Sequence, residues 1–376
     1  MRRAGNILFV VAVLWGIWTL LGRSYDDLPV EPVAAMTQPL DSNSLCERNI
    51  VGIQPYMVPS DYLSEERFYH KLNGYFSQAR NEGYFRSNTV VLLPEYLGTW
   101  LVVAGEKASV AELKTITGAM SMMVISNPLK TLWAVFRNQG ESDRVAAAIF
   151  RMKSRQMAAI YTRVFSRLAK DYGVTINAGS IVLPGPQVAE GIIQVDISQP
   201  LYNTTFIFHP FGVADGQMVR KAFPISSELP FVCPAPVEEI PLFELPIGKT
   251  ALLVCADSWY PESYARIKEL GAEVILVNSY LAGQGTMSNP WHGYDGSATP
   301  PDVDPAHVET ITEREAWIAY ALPGRIGSSG ARIGVNVFLR GELWDLGADG
   351  QPLIVRDGAL LPVTVSDTAG IWNLCF

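Results

Sequence analysis

Histidine and cysteine are scarce in this 376-residue chain, which has four of each. His70, His209, His292 and His307 have no paired spacing of the kind a zinc ligand set needs, so no metal site is expected. Cys46, Cys233, Cys255 and Cys375 are too scattered for a disulfide framework or a zinc ribbon, and a pairing among them cannot be assigned from spacing. Charge is also thin. Charged residues make up 18% of the chain, the net is −8, and no run of Lys or Arg exceeds two residues. An acidic chain without a basic stripe is a poor partner for nucleic acid. Repeats and low-complexity tracts are missing, and Gly283-Gln-Gly285 lacks the Lys-Ser/Thr that a phosphate loop requires. Apolar residues are abundant instead, at 48%. That excludes disorder and is ample for one large or two ordinary domains.

The amino terminus carries the longest apolar run. Met1-Arg-Arg precedes sixteen uncharged residues from Ile7 to Gly22. At ~1.5 Å per residue a helix there is roughly 24 Å long, slightly short of the ~30 Å bilayer core, and Ala4 to Asn6 with a snorkelling Arg23 extend it. The expectation is a membrane anchor over residues 1–23, with a cleaved signal peptide as the rival. A cleavage site should follow the apolar run closely, yet Val33-Ala34-Ala35 lies more than ten residues beyond it. The paired arginines favour a body on the extracytoplasmic side. Residues 24–48, with three prolines, five acids and no period, read as a tether.

From residue 49 to 376 the pattern alternates. Ile50 to Ile53, Thr89 to Glu95, Val174 to Ala178, Gly191 to Ile197, Thr204 to Phe208, Thr250 to Cys255 and Glu273 to Val277 read as strands. Ser64 caps an expected helix with Phe68, Leu72, Tyr75, Phe76 and Ala79 on one side. A second helical face runs from Met157 to Leu168 and closes at Gly173, and a third helix spans Glu262 to Leu270. This alternation predicts a layered α/β body. A hydrophobic insertion at about 100–150 interrupts it. Its core, Ile116 to Phe136, reads either as two packed helices joined at Asn127-Pro128 or as a hydrophobic lid or membrane-surface helix.

Cys255 ends an apolar strand just before a helix opening at Pro261-Glu262. Backbone N–H groups and the positive end of a helix at such a turn lower a thiol pKa and stabilise a developing oxyanion. Glu95 likewise ends an apolar strand, where a carboxylate serves as a base or pairs with a cation. Lys221 follows a turn at Asp215-Gly216 and, taken alone, is an ordinary surface lysine.

Together these segments resemble the carbon–nitrogen hydrolase (nitrilase) superfamily. The carrying motifs are Val90-Val-Leu-Leu-Pro-Glu95, Arg220-Lys221-Ala-Phe-Pro224 with Glu228 following, and Cys255-Ala-Asp-Ser-Trp-Tyr-Pro-Glu262. Asp171-Tyr-Gly-Val174 and Asn177-Ala-Gly-Ser180 also sit where the family has its second helix and next strand. The resemblance spans about Ile50 to Val355. It implies a four-layer α-β-β-α sandwich, usually paired as a homodimer, and a cofactor-free Glu-Lys-Cys triad of Glu95, Lys221 and Cys255. Glu228 resembles the family's second glutamate. Ala256 is expected to give a backbone donor to the oxyanion and Asp257 to fix the turn.

Ala256-Asp257 after the cysteine resembles the amidase-like branches, so hydrolysis of a linear amide is expected. The departures are Ala256 in place of a common Tyr, the insertion, and the apolar amino terminus. They leave two alternatives: transfer of an acyl group from a lipid to an amine near a membrane, or an inactive tethered scaffold. Tyr280, Trp291 and His292, after the strand that follows the Cys motif, are expected to line the substrate pocket. His70 and His209 read as surface and turn residues.

Overall fold

Residues 2–25, 34–41, 46–137 and 140–376 are described by a computed structural model. Two sheets hold thirteen strands. In chain order these are β1 (Ala35–Pro39), β2 (Asn49–Gln54), β3 (Thr89–Leu92), β4 (Thr175–Pro184), β5 (Leu201–Phe208), β6 (Ala214–Arg220), β7 (Phe243–Leu245), β8 (Gly248–Val254), β9 (Val274–Ser279), β10 (Ile333–Phe338), β11 (Leu353–Arg356), β12 (Ala359–Leu360) and β13 (Ala369–Cys375). The principal helices are α1 (Arg2–Leu20), α2 (Glu65–Asn81), α3 (Ile116–Ser126), α4 (Pro128–Val135), α5 (Arg144–Tyr172), α6 (Pro261–Leu270), α7 (Glu313–Tyr320) and α8 (Leu322–Ser329).

One sheet runs β1-β13-β2-β3-β4-β5-β6 and the other β7-β8-β9-β10-β11-β12. Each has a parallel centre, β2-β3-β4 in the first and β8-β9-β10 in the second. Strands buried on both faces need apolar residues throughout. Thr89-Val-Val-Leu92 and Ala251-Leu-Leu-Val254 meet that need and are fully buried. The two sheets pack through Val90, Leu92 and Ile207 on one side and Val254, Leu276 and Val335 on the other.

Helices close both outer faces. Phe68, Leu72 and Phe76 of α2 and Tyr161 and Phe165 of α5 cover the first sheet. Tyr264 and Ile267 of α6 and Leu322 and Ile326 of α8 cover the second. The result is the expected four-layer α-β-β-α order. Local signals act where the sequence placed them. Ser64 accepts the Arg67 N–H at the start of α2, while Gly173 and Gly271 end α5 and α6 in the left-handed region at φ 64° and 66°.

Three regions differ from the sequence reading. Among the described residues no helix is long and apolar enough to cross a membrane, so the expected spanning anchor is not supported. The physical reason is length: Arg2 and Arg3 lie inside α1, leaving seventeen residues, or ~25 Å of helix. The carboxyl end of α1 is fastened to the body, where Lys107 Nζ donates to the Leu21 carbonyl at 2.6 Å and the Ala108 N–H reaches that of Gly22 at 2.7 Å.

Part of the expected tether is a strand. β1 pairs in parallel with β13 in register from Ala35↔Ala369 to Pro39↔Asn373, because the edge of the first sheet offers it unpaired backbone groups. Residues 26–33 and 42–45 of that segment lie outside the described residues. Cys46 and Cys375 form a disulfide beside this edge. In the insertion, α3 and α4 meet at Asn127 as two helices, but they are only half packed: Met123 and Ala134 are buried while Leu129 and Phe136 are 81% and 80% exposed.

Candidate active site

Glu95, Lys221 and Cys255 each follow the carboxyl end of a strand, where α/β sheets place their ligand sites. Glu95 comes three residues after β3, Lys221 directly after β6 and Cys255 directly after β8. The Glu95 segment is fastened to a bulge in β4. The Ser180 N–H donates to the Pro94 carbonyl at 3.2 Å, and the Tyr96 N–H donates to Ser180 Oγ at 2.9 Å. Gly179, at φ +72°, lies so close that a Cβ there would sit 2.2 Å from the Pro94 carbonyl oxygen. Tyr96 and Cys255 themselves adopt left-handed backbone, at φ 61° and 48°. Such strain costs about 1–3 kcal/mol per residue and persists only where surrounding contacts fix it.

The charged groups form one buried cluster. Lys221 Nζ donates to Glu95 Oε1 at 2.8 Å and to Glu228 Oε2 at 2.6 Å, all three side chains being 1–2% exposed. Glu228 also accepts the Ile225 N–H at 2.9 Å and the Tyr96 hydroxyl. Glu95 Oε2 accepts the Tyr280 N–H at 3.1 Å, and its charge is near enough to Cys255 to act on the thiol. Cys255 Sγ lies 3.6 Å from the Tyr280 carbonyl oxygen.

This arrangement sets the protonation states. Burial, opposed by Lys221 and reinforced by Glu228, raises Glu95 to about 7. For Lys221 burial works downward, but Glu228 and Glu95 overcome it and hold the ammonium pKa well above its ordinary value. Burial also opposes the Glu228 carboxylate, yet Lys221 and the Tyr96 hydrogen bond keep its pKa low. The thiol corrects an expectation. Burial first and then the Glu95 charge push Cys255 well above the usual thiol range, against the lowering by Lys221. A lysine and a helix start do not make a thiolate when two carboxylates already claim the lysine.

Asp257 is fully buried and joins the loops that carry Cys255 and Lys221. Its Oδ1 accepts the Ala222 and Phe223 N–H groups, each at 2.9 Å, and its Oδ2 that of Val254 at 3.1 Å. Burial lifts it to about 6. The other eight residues singled out from sequence line one cavity of about 530 Å3: Glu95, Lys221, Glu228, Cys255, Ala256, Tyr280, Trp291 and His292. Trp291 is a buried part of the wall, while His292 stands at the exposed rim, 2.6 Å from Glu309. Tyr280 is pinned by its hydroxyl to the Gly347 carbonyl at 2.6 Å. His70 is exposed beside Glu66, and His209 pairs with Asp215 at 2.9 Å, away from this cavity.

Two site residues escape sequence reasoning. Asn203 Nδ2 donates to both Glu95 Oε1, at 2.8 Å, and Glu228 Oε1, at 3.0 Å. It precedes the strand read from Thr204, and β5 in fact begins at Leu201. Tyr96 follows Glu95 directly, so adjacency to a site carboxylate was the available signal. Among the described residues no group of His, Cys, Asp and Glu is arranged to hold a metal.

The carbon-nitrogen hydrolase family model matches residues 64–299, well over half of the chain. No curated protein matches significantly. Among solved structures, the NitN amidase from Nesterenkonia sp. AN1 superposes with a TM-score of 0.52 at 17% identity, covering 88% of this chain and 93% of that one. A glutamate-to-glutamine variant of the Nesterenkonia amidase, carrying the acetamide moiety of fluoroacetamide on its active-site cysteine, gives 0.51 at 16%, covering 88% and 90%. A cysteine-to-alanine variant in complex with butyramide gives 0.52 at 15%, covering 88% and 91%. At these identities the structures speak for the fold, and the match of the family model to most of the body makes the chain a member of the carbon–nitrogen hydrolase family.

Proposed function

We propose that the protein hydrolyses a linear, non-peptide amide through a thioester on Cys255. The observation that carries this reading is the buried cluster of Glu95, Lys221 and Glu228 against a neutral thiol in one apolar cavity. With the amide carbon beside Sγ, Glu95 takes the thiol proton as the sulfur attacks. The Lys221 ammonium and the Ala256 N–H hold the oxygen that becomes negative. Glu95 returns the proton to the departing amine. It then accepts one from the water that splits the thioester, releasing a carboxylic acid and restoring the thiol. Glu228 keeps Lys221 charged and pointed, which frees Glu95 to exchange protons.

Amidases of this fold solved with the acetamide moiety of fluoroacetamide on the active-site cysteine, or in complex with butyramide, support a small amide as substrate. The size and apolar character of this cavity favour a larger one, which keeps acyl transfer to an amine as the second reading. The Cys46–Cys375 disulfide supports an oxidising, extracytoplasmic setting for the body.

The test is ammonia release from a panel of short and long acyl amides, together with intact-mass analysis, for the native chain and Cys255→Ala. Release that needs Cys255 is expected. A long-chain acyl adduct that is discharged only by an added amine would move the assignment to transfer. Absence of both release and adduct over the whole panel would sink the enzymatic reading.

A further inference from the structure

We propose that the α3–α4 hairpin is a docking face for the surface of an anionic lipid bilayer. The first observation is the inverted amphipathicity of α4. Leu129, Leu132, Trp133 and Phe136 at its outer side are 81%, 55%, 46% and 80% exposed, while the small Thr131 and Ala134 face the protein. Ile125 of α3 and Val145 of α5 extend the patch, at 53% and 52%. A helix that packs its small residues inward and its largest apolar ones outward has its apolar partner outside the fold.

Charge identifies that partner. From Lys114 to Arg155 the chain has seven basic residues and two acidic ones, a net of 7 − 2 = +5 within a chain of −8. Arg151 and Lys153 are buried against Glu141 and Glu106. The remaining five, Lys114, Lys130, Arg137, Arg144 and Arg155, are exposed. Arg137 lies over the Trp133 ring at 4.2 Å, placing a cation and an indole together at the edge of the patch. Exposed apolar side chains on a segment of net positive charge, with Arg137 at their edge, match an anionic membrane surface.

Position supplies a third, independent argument. Asn127, at the α3–α4 junction, donates to Glu106 Oε2 at 2.9 Å. Glu106 also pairs with Lys153 at 2.8 Å and with Arg23 at 3.7 Å, just past α1, and the next residue, Lys107, holds the end of α1. Helix α1 therefore leaves the body beside the hairpin. From Phe9 to Leu20 most of its side chains are apolar and exposed, Thr19 being the polar exception. The face lies on a bilayer and requires no crossing segment.

The inner edge of the same hairpin meets the reaction chamber. Ile116 and Met120 line the catalytic cavity, and Met120 also lines an outer groove with Val124, Ile125 and Val145. Docking thus brings a wall of the cavity next to lipid, suiting an amide with a long apolar acyl group. That last consequence rests on the amidase reading; docking does not.

The experiment uses the full chain in a Cys233→Ser background, with a fluorophore attached at Phe136→Cys or at Phe211→Cys. Phe211 is equally exposed, at 81%, and its neighbour Gly212 packs by Lys170 near the far end of α5. Vesicles of phosphatidylcholine with phosphatidylglycerol, or of phosphatidylcholine alone, carry a nitroxide quencher in the upper acyl chain. Position 136 is expected to be quenched several-fold more than position 211, more strongly with phosphatidylglycerol, and less after Lys130→Glu with Arg137→Glu. Equal quenching at the two positions would overturn the proposal, as would quenching indifferent to phosphatidylglycerol. A concentration-dependent change at position 136 without vesicles would assign the face to a second copy of the chain and overturn it as well.

Discussion

The side-chain amide of Asn203 lies 2.8 Å from Glu95 Oε1, the same carboxylate oxygen that Lys221 reaches. Its second contact, to Glu228 Oε1, makes Asn203 a neutral spacer between two carboxylates that would otherwise repel across one buried lysine. A hydrogen bond to a buried charge is worth about 1.5–3 kcal/mol. Asn203→Ala is therefore expected to lower kcat/KM roughly 10- to 100-fold. Loss of a donor also disfavours the Glu95 carboxylate, so the rising limb of the pH–rate profile should move to higher pH. A purely structural role would lower activity without moving that limb.

The convergence of the site residues was more legible in the sequence than their electrostatics. Pro94-Glu95, Arg220-Lys221 and Cys255-Ala-Asp257 are local motifs at the ends of apolar runs, and strand ends are where such runs deliver side chains. Asn203 could not be found this way, because its role comes from lying opposite Lys221 across the β5–β6 pair, where its carbonyl accepts the Lys221 N–H at 2.8 Å. The thiol pKa was misread for a related reason. The sequence shows a helix start after Cys255 and the resemblance adds Lys221, but the burial and the two carboxylates that outweigh them emerge only from the fold. The β1 strand was hidden because its partner, β13, lies more than 300 residues away and its composition is that of a linker. The α4 helix was legible as apolar, but which side would face out was not.

Glu95 gives the pH dependence its sign. The base must be ionised to take the thiol proton, and its pKa is raised from 4.5 to about 7. Activity is expected to climb through about pH 7 and to fall toward tenfold per unit below it. Glu95→Gln should cost ~10²–10⁴ in kcat and flatten that limb. Stability runs the other way. Because the folded-state pKa is raised, the folded chain holds this proton more tightly than the unfolded one. The resulting contribution is complete below 4.5 and is lost as pH rises through about 7. Urea midpoints for native and Glu95→Gln chains should therefore diverge in favour of the variant between pH 4 and pH 8. Parallel midpoints would refute the raised pKa.

The Cys46–Cys375 bridge, joining residues 329 apart beside the β1–β13 edge, is expected to matter for stability and little for chemistry. Cys375→Ser, or reduction, should lower the unfolding free energy by about 2–5 kcal/mol. At temperatures where the chain stays folded, kcat should hold, since neither cysteine lines the cavity. Urea melts with and without reductant, run beside an ammonia-release assay, separate the two effects.

Asp257 gives the sharpest test of how the two loops are held together. Its carboxylate accepts three backbone N–H groups, two from the Lys221 loop and one from Val254 before the cysteine. It does not line the cavity. In Asp257→Asn one acceptor oxygen becomes an NH2 group, so at least one of those buried N–H groups faces another donor. An unsatisfied buried N–H costs about 1–3 kcal/mol. The loops should then relax apart, moving the Cys255 thiol away from the Lys221 ammonium where the oxyanion forms. kcat is expected to fall ~10- to 100-fold with KM nearly constant, because the lost positioning is felt in the transition state rather than in substrate binding. A variant that raised KM and left kcat intact would instead place Asp257 in contact with substrate, contrary to its position behind the turn.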